Sequence, residues 1–260
     1  MPSHSAIHRF SSFTVVKFMD SKAGTVLADK VPVAIGNATA ATFVPPFTQK
    51  ALHVMMIKNA VKGSYAMKIL LISGSPRRHG NTVHILKKLA SALEGEDISF
   101  VSLADIHLNG CLGCSVCQSN LREPGCVQKD EITNLLQQIM VADAVVYGTP
   151  LYGHSYSGQL KLLMDRHVSL FKFVSNSDKA VEEMKIFSFI QDKPVALAVS
   201  CQGPEAHNSE LVSLQFEKFC ASSLAHNLGT YVFPWCDPGV TQSQYSSATI
   251  QALAEHIRRK

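Results

Sequence analysis

No stretch of this sequence approaches the roughly 18 consecutive apolar residues that a membrane-spanning helix needs, so no membrane partner is expected. The body of the chain also lacks an excess of charge of one sign. The formal net charge is +4, yet residues 1–66 hold seven Lys/Arg against two Asp/Glu, and residues 67–260 hold 17 against 18. Nucleic-acid binding, which needs a basic face, therefore has no electrostatic support. The dinucleotide fingerprint G-x-G-x-x-G is missing, as are the nucleotide loop G-x-x-x-x-G-K-[ST] and any internal repeat. An even disulfide framework is missing too. The seven cysteines are Cys111, Cys114, Cys117, Cys126, Cys201, Cys220 and Cys236, four of them within 16 positions. That pattern speaks for a reducing cytoplasmic setting with a metal or redox cluster. What is present, 46% apolar and 17% charged residues, is the composition of a globular protein.

Residues 1–66 show no lasting helical or strand periodicity. They read as an N-terminal extension, either disordered or belonging to a start assigned too far upstream. A targeting peptide is the weaker alternative. From Met67 the pattern alternates. Lys68–Ser73 reads as a buried first strand, Asn81 to Leu93 as a helix, Ile98–Leu103 as the second strand and Glu131–Met140 as the second helix. Ala144–Thr149 follows as a third strand stopped by Pro150, then a helix from Gly158 to about Phe171. Val195–Cys201, a helix over Glu210–Leu228, the strand Thr230–Pro234 and a closing helix over Ser247–Arg259 complete the series. Strands alternating with helices imply a doubly wound parallel sheet between two helical layers. Five such units predict a flavodoxin-like α/β domain over 67–260, with strand order 2-1-3-4-5.

The segment Ser73-Gly74-Ser75-Pro76-Arg77-Arg78-His79-Gly80-Asn81-Thr82 joins the first strand to the first helix. A doubly wound sheet binds its anion there, at the carboxyl ends of the strands. Gly74 and Gly80 let backbone N–H groups converge, and the helix start adds its partial positive charge. Ser75, Asn81 and Thr82 offer short donors, and Arg77 a planar fork. A hydroxyl-rich loop without lysine suits the monophosphate of a mononucleotide. The competing reading is a plain turn in which Asn81 caps the helix. The segments Thr149–Lys161 and Ser200–Pro204 follow the third and fourth strands, so they reach the same edge, where Tyr152 and flexible glycines can frame a flat ring.

The runs Gly-Ser-Pro-Arg-x-x-Gly-Asn-Thr at 74–82, Thr-Pro-Leu-Tyr at 149–152 and Ser-Gly-Gln-Leu-Lys-x-x-x-Asp-Arg at 157–166 resemble the NADPH-dependent FMN reductase family. The resemblance implies FMN, its phosphate held by the loop of Ser73, Ser75, Pro76, Arg77, Asn81 and Thr82. The isoalloxazine would rest on Pro150, Leu151, Tyr152 and Gly153. It also implies NAD(P)H as co-substrate, a small-molecule electron acceptor, and a homodimer or homotetramer.

Cys111-x-x-Cys114-x-x-Cys117, followed after eight residues by Cys126, offers four thiolates in the compact spacing of a 4Fe–4S cluster. Zinc and free, redox-active thiols are the alternatives. The spacing is similar to that of iron–sulfur flavoproteins, which would imply electron transfer from a ferredoxin-like donor; the last interval is slightly longer than theirs. Other residues are expected to be structural: Cys220 in the core, Cys201 buried, Cys236 before a turn at Asp237-Pro238-Gly239, and His167 a satisfied buried histidine. His154 reads as a polar loop residue, and Asp165 and Arg166 as ion-pair or helix-end residues.

Overall fold

The computed structural model describes residues 65–174, 185–236 and 247–259. Residues 1–64 of the expected extension, and the expected turn at 237–239, lie outside the described residues. The chain divides into two units, Gly63–Lys172 with Phe187–Lys260, and Met1–Lys62 with Phe173–Ile186. Only residues 173, 174, 185 and 186 of the latter are described.

The first unit is built on a five-stranded parallel sheet of β1 (Lys68–Ser73), β2 (Asp97–Ser102), β3 (Ala144–Pro150), β6 (Pro194–Ser200) and β7 (His226–Phe233), in the order β2-β1-β3-β6-β7. In order of occurrence these strands run 2-1-3-4-5, the flavodoxin-like arrangement. The three inner strands, β1, β3 and β6, are apolar runs because both of their faces are covered. Alternate residues go to opposite cores: Ile69, Leu71 and Val146 meet α1 (Asn81–Ala92) and α6 (Ser247–Arg258), through Leu86, Leu89, Leu253 and Ile257. Leu70, Ile72, Val145 and Tyr147 meet α3 (Ile132–Val141), α4 (Gly158–Arg166) and α5 (Glu210–Ser223), through Leu135, Leu163 and Phe216. Each fully buried Leu or Ile contributes about 1.5–3 kcal/mol.

Three boundaries differ from expectation. The third expected helix stops at Arg166, and His167–Leu170 tightens into a 3-10 turn. Ser169 Oγ donates back to the Arg166 carbonyl at 3.1 Å, and Phe171 is extended. The chain then runs into β4 (Phe171–Val174), which pairs with β5 (Lys185–Ser188) in a two-stranded sheet that the periodicity did not signal. The fourth expected helix ends at Ser223, because Leu224 takes a left-handed conformation (φ 55°) and Ala225 N–H closes on the Cys220 carbonyl at 3.0 Å. Strand β7 consequently begins at His226. A short helix α2 (Val116–Ser119) was not foreseen.

The core carries two polar devices. His167 is fully buried; its Nδ1–H donates to the Leu163 carbonyl at 2.7 Å, so Nε2 accepts from the Tyr147 hydroxyl at 2.8 Å. Burial pushes its pKa down to about 4, despite the Leu163 carbonyl, and keeps it neutral. Arg166 and Asp130 form an ion pair with side chains 1% and 0% exposed, at 2.9 Å and 3.1 Å. Burial works against the Asp130 charge, but the Arg166 hydrogen bonds, the Asn109 N–H and the Arg166 charge overrule it and hold its pKa below the usual value of 3.8.

Both groups have folded pKa values below their unfolded ones, so both contributions are present at neutral pH and lost on acidification. In urea unfolding between pH 7 and 3, stability is expected to drop by up to about 3 kcal/mol from His167 as pH falls from about 6.5 to about 4. A further drop from Asp130 is expected below about 3.8. His167→Gln should flatten the upper step. Asp130→Asn should remove the lower one at a cost of ~3 kcal/mol at pH 7.

Candidate functional site

The loop from Gly74 to Gly80 lies at the carboxyl end of β1 and is held from beneath. Gly74 N–H donates to the Gly148 carbonyl at 2.7 Å, and Ser157 Oγ–H to the Gly74 carbonyl at 2.5 Å. The same Ser157 oxygen accepts Leu160 N–H at 3.2 Å, capping α4, while its own N–H donates to Thr149 Oγ1 at 3.0 Å. Gly74 is obligatory here: a Cβ would lie 2.6 Å from Leu160 Cβ and 3.1 Å from the Gly148 carbonyl. Within the loop Ser73 Oγ accepts Ser75 N–H at 3.4 Å, and the buried Ser75 hydroxyl accepts Arg77 N–H at 3.1 Å. Ser75 thus shapes the turn from inside.

Helix α1 starts after Gly80, with no side-chain cap from Gly80 itself, and its first-turn N–H groups have no intrahelical acceptors. The cap position falls on Gly80 and not on Asn81. Asn81 Nδ2–H donates instead to the Cys236 carbonyl at 2.7 Å, tying α1 to the end of β7. Thr82 Oγ1 is hydrogen-bonded to Ser200 Oγ at 2.7 Å and fully buried. Its role is to join α1 to β6. Arg77 and Pro76 are exposed, and Arg78 is engaged by Asp105. Arg77 is therefore the guanidinium placed at the mouth. A helix start behind a glycine-lined turn has the chemistry to take a phosphate, and Arg77 and the N-terminal N–H groups of α1 are the groups that could hold one.

The second loop continues β3. Leu151 N–H donates to the Ser200 carbonyl at 2.8 Å, extending the β3–β6 pairing by one step past Pro150. Tyr152 and Ser155 then exchange two backbone bonds of 3.1 Å around Gly153 and His154, both at positive φ (56° and 61°). The hairpin is fixed to α5 by His154 Nδ1 against the Asn208 carbonyl and by Ser155 Oγ on Gln215. Tyr152 stays 47% exposed at the rim. Beyond β6 the Cys201–Asn208 segment is bound to the end of β7 through Cys236 N–H on the Cys201 carbonyl (2.8 Å). This brings Trp235, 62% exposed, to the same edge. A cleft of about 280 Å³ opens beside Pro76, lined by Leu103, Ile106, His107, Gln159 and Leu162.

The cysteine stretch follows β2. Cys111 and Cys114 are exposed, Cys117 and Cys126 half-buried, and all four are free thiols. Among the described residues no three His, Cys, Asp or Glu side chains are gathered closely enough to hold a metal ion. The inner two cysteines stand next to buried cations. Lys172, fully buried, donates from Nζ to the Cys117 carbonyl at 2.5 Å, and burial pulls its pKa down. The Arg166 guanidinium faces the Cys126 thiol. Gln118 Nε2 ties the loop to the Val168 and Phe171 carbonyls at 2.8 Å and 3.0 Å. Cys220 and Cys201 are buried as expected, and desolvation pushes the Cys220 thiol up to about 12. Asp165 pairs with Lys161.

Sequence reasoning missed Ser157, Ser200, Trp235 and Lys172. Ser157 was legible as a Ser before a helix start; Lys172 gave no signal. Gly74→Ala is expected to lower stability by about 1–3 kcal/mol through the Leu160 overlap. Gly153→Ala, whose Cβ meets nothing within 4 Å at φ 56°, should cost only ~1 kcal/mol of left-handed strain. Paired urea melts measure the contrast.

The comparisons with known proteins agree with this geometry. An iron–sulfur flavoprotein of Methanocaldococcus jannaschii is 41% identical over 102 residues, covering 38% of this chain and 51% of that protein. An iron–sulfur flavoprotein of Archaeoglobus fulgidus is 36% identical over 102 residues, with 38% and 48% covered. The chain thus spans about half the length of the curated relatives it matches. Among solved structures an azoreductase from Bacillus anthracis superposes with a TM-score of 0.54 at 17% identity, over 75% of this chain and 100% of that one. At such identity what is shared is the fold. The family model described as NADPH-dependent FMN reductase matches residues 67–220, more than half of the 260 residues, and the chain belongs to that family.

Proposed function

We propose that this chain is an FMN-dependent oxidoreductase that takes electrons from NAD(P)H and passes them to a small-molecule acceptor such as a quinone, a nitro or azo compound, or free flavin. The observation that carries the reading is the start of α1 behind the Ser75–Gly80 turn, with Arg77 exposed at its mouth. Bound FMN supplies reversible two-electron and one-electron chemistry. The residues bind and orient. Arg77 and the first N–H groups of α1 hold the phosphate, while the Pro150–Gly153 segment supports the ring edge and Tyr152 and Trp235 shield it from water. No residue of the site is required as acid or base.

A second reading is favoured by the cysteine stretch and by the relatives named iron–sulfur flavoproteins. In it the 111–126 loop holds an iron–sulfur centre that exchanges single electrons with FMN, supplied by a ferredoxin-like donor. Assembly into homodimers or homotetramers and a cytoplasmic location remain part of the proposal. Among the described residues no helix is long and apolar enough to cross a membrane.

The purified full chain is expected to take up FMN, and its absorbance at about 450 nm to bleach on anaerobic addition of NADPH. Arg77→Ala should weaken FMN binding tenfold or more with an unchanged melting temperature, because the side chain is exposed. Absence of FMN uptake by the folded chain would refute the reading; uptake without bleaching would leave the one-electron reading in its place.

A further inference from the structure

Beneath the cysteine loop lie two buried cations, each short of an acceptor. Arg166 is 2% exposed. Its Nη1 donates to the Asn109 carbonyl at 2.6 Å and to Asp130 Oδ2 at 2.9 Å, and its Nη2 to Asp130 Oδ1 at 3.1 Å. Its Nε–H is buried with no hydrogen-bond partner among the described residues, although the Cys126 thiol faces the same guanidinium. Lys172 is 0% exposed. Among the described residues its three N–H bonds meet one acceptor, the Cys117 carbonyl at 2.5 Å, and Nζ stands 5.7 Å from the Phe189 ring centroid. No carboxylate among the described residues pairs with it.

A buried cation without an anion is a costly arrangement, and a buried N–H without an acceptor is another. Both deficits point at one loop, and at its two half-buried cysteines. A neutral thiol is a weak acceptor and answers neither. A sulfur bound to a metal carries its negative charge outright, and accepts hydrogen bonds that tune the centre.

We propose that Arg166 and Lys172 are the counter-charges of a thiolate-bound iron centre on the 111–126 loop, with Arg166 Nε–H donating to the Cys126 sulfur and Lys172 Nζ balancing Cys117. This rests on the iron–sulfur reading above. Cys117 and Cys126 are the seated pair. Cys111 and Cys114, exposed and separated by Gly113 at φ 62° with open space around it, are the pair that must come to them. Both cations are positioning residues: they touch sulfur or its backbone, not a substrate.

The test is anaerobic reconstitution of the full chain with ferrous iron and sulfide. It is followed by iron content, the broad absorbance near ~400 nm and the reduction potential of the centre. Lys172→Met keeps the length of the side chain and removes the charge. The metal-free variant is expected to melt at or above the wild-type temperature, yet to retain severalfold less iron and to show a more negative potential. Lys172→Arg should restore the potential. Arg166→Lys, which keeps a charge for Asp130 but loses the Nε–H, should shift the potential the same way; if it does not fold, the Lys172 pair decides alone. Wild-type potential and iron content in Lys172→Met would overturn the counter-charge role while leaving the iron–sulfur reading standing. Failure of the wild-type chain to bind iron would overturn both.

Discussion

The hydrogen bond from Gly74 N–H to the Gly148 carbonyl is the contact on which the site depends. It brings the ends of β1 and β3 so close that a side chain at position 74 has no room, and Ser157 closes the gap from the other side. One serine hydroxyl therefore sets the turn after β1 and the start of α4 together. Because both loops hang from one fixed point, their mutual geometry is a property of the sheet. A pocket built in this way is formed before any ligand arrives, so little binding energy goes into ordering it.

The cysteine loop is supported by different physics. The flavodoxin-like sheet is held by apolar burial on both faces, whereas the loop rests on charge: Arg166 at the end of α4, Asp130 just before α3, and Lys172 in β4. Buried charges contribute little to net stability compared with apolar replacements, but they are unforgiving of geometry. The chain thus joins a well-packed scaffold that tolerates variation in its loops to a polar platform that does not.

Much of the scaffold was legible in the sequence, because strands buried on both faces read as uninterrupted apolar runs and the first and third helices carry clean stripes. Ends were less legible. The helix over Glu210–Ser223 was read five residues too far, because Leu224, Ala225 and Leu228 continue an apolar pattern while the backbone has already turned at Leu224. The β4–β5 pair was missed because strands of four residues carry too few alternations to register. The turn between β1 and α1 was read from its glycines and its place after β1. The inward roles of Ser75 and Thr82 were not, since a hydroxyl looks the same in sequence whether it faces a ligand or a neighbouring strand. Lys172 was hidden for a related reason, since a basic residue in a sequence is read as surface; Arg166 was read as an ion-pair or helix-end residue, and the fold adds that it is buried.

Trp235 is the one tryptophan of the chain, and it stands at the rim next to Cys236, whose carbonyl holds Asn81 at the start of α1. Indole emission from this protein therefore comes from a single place, and that place is one residue away from the carbonyl that anchors the start of α1. Its colour and intensity report the polarity of the rim alone, undiluted by the core, which makes the molecule its own optical sensor for whatever occupies that edge.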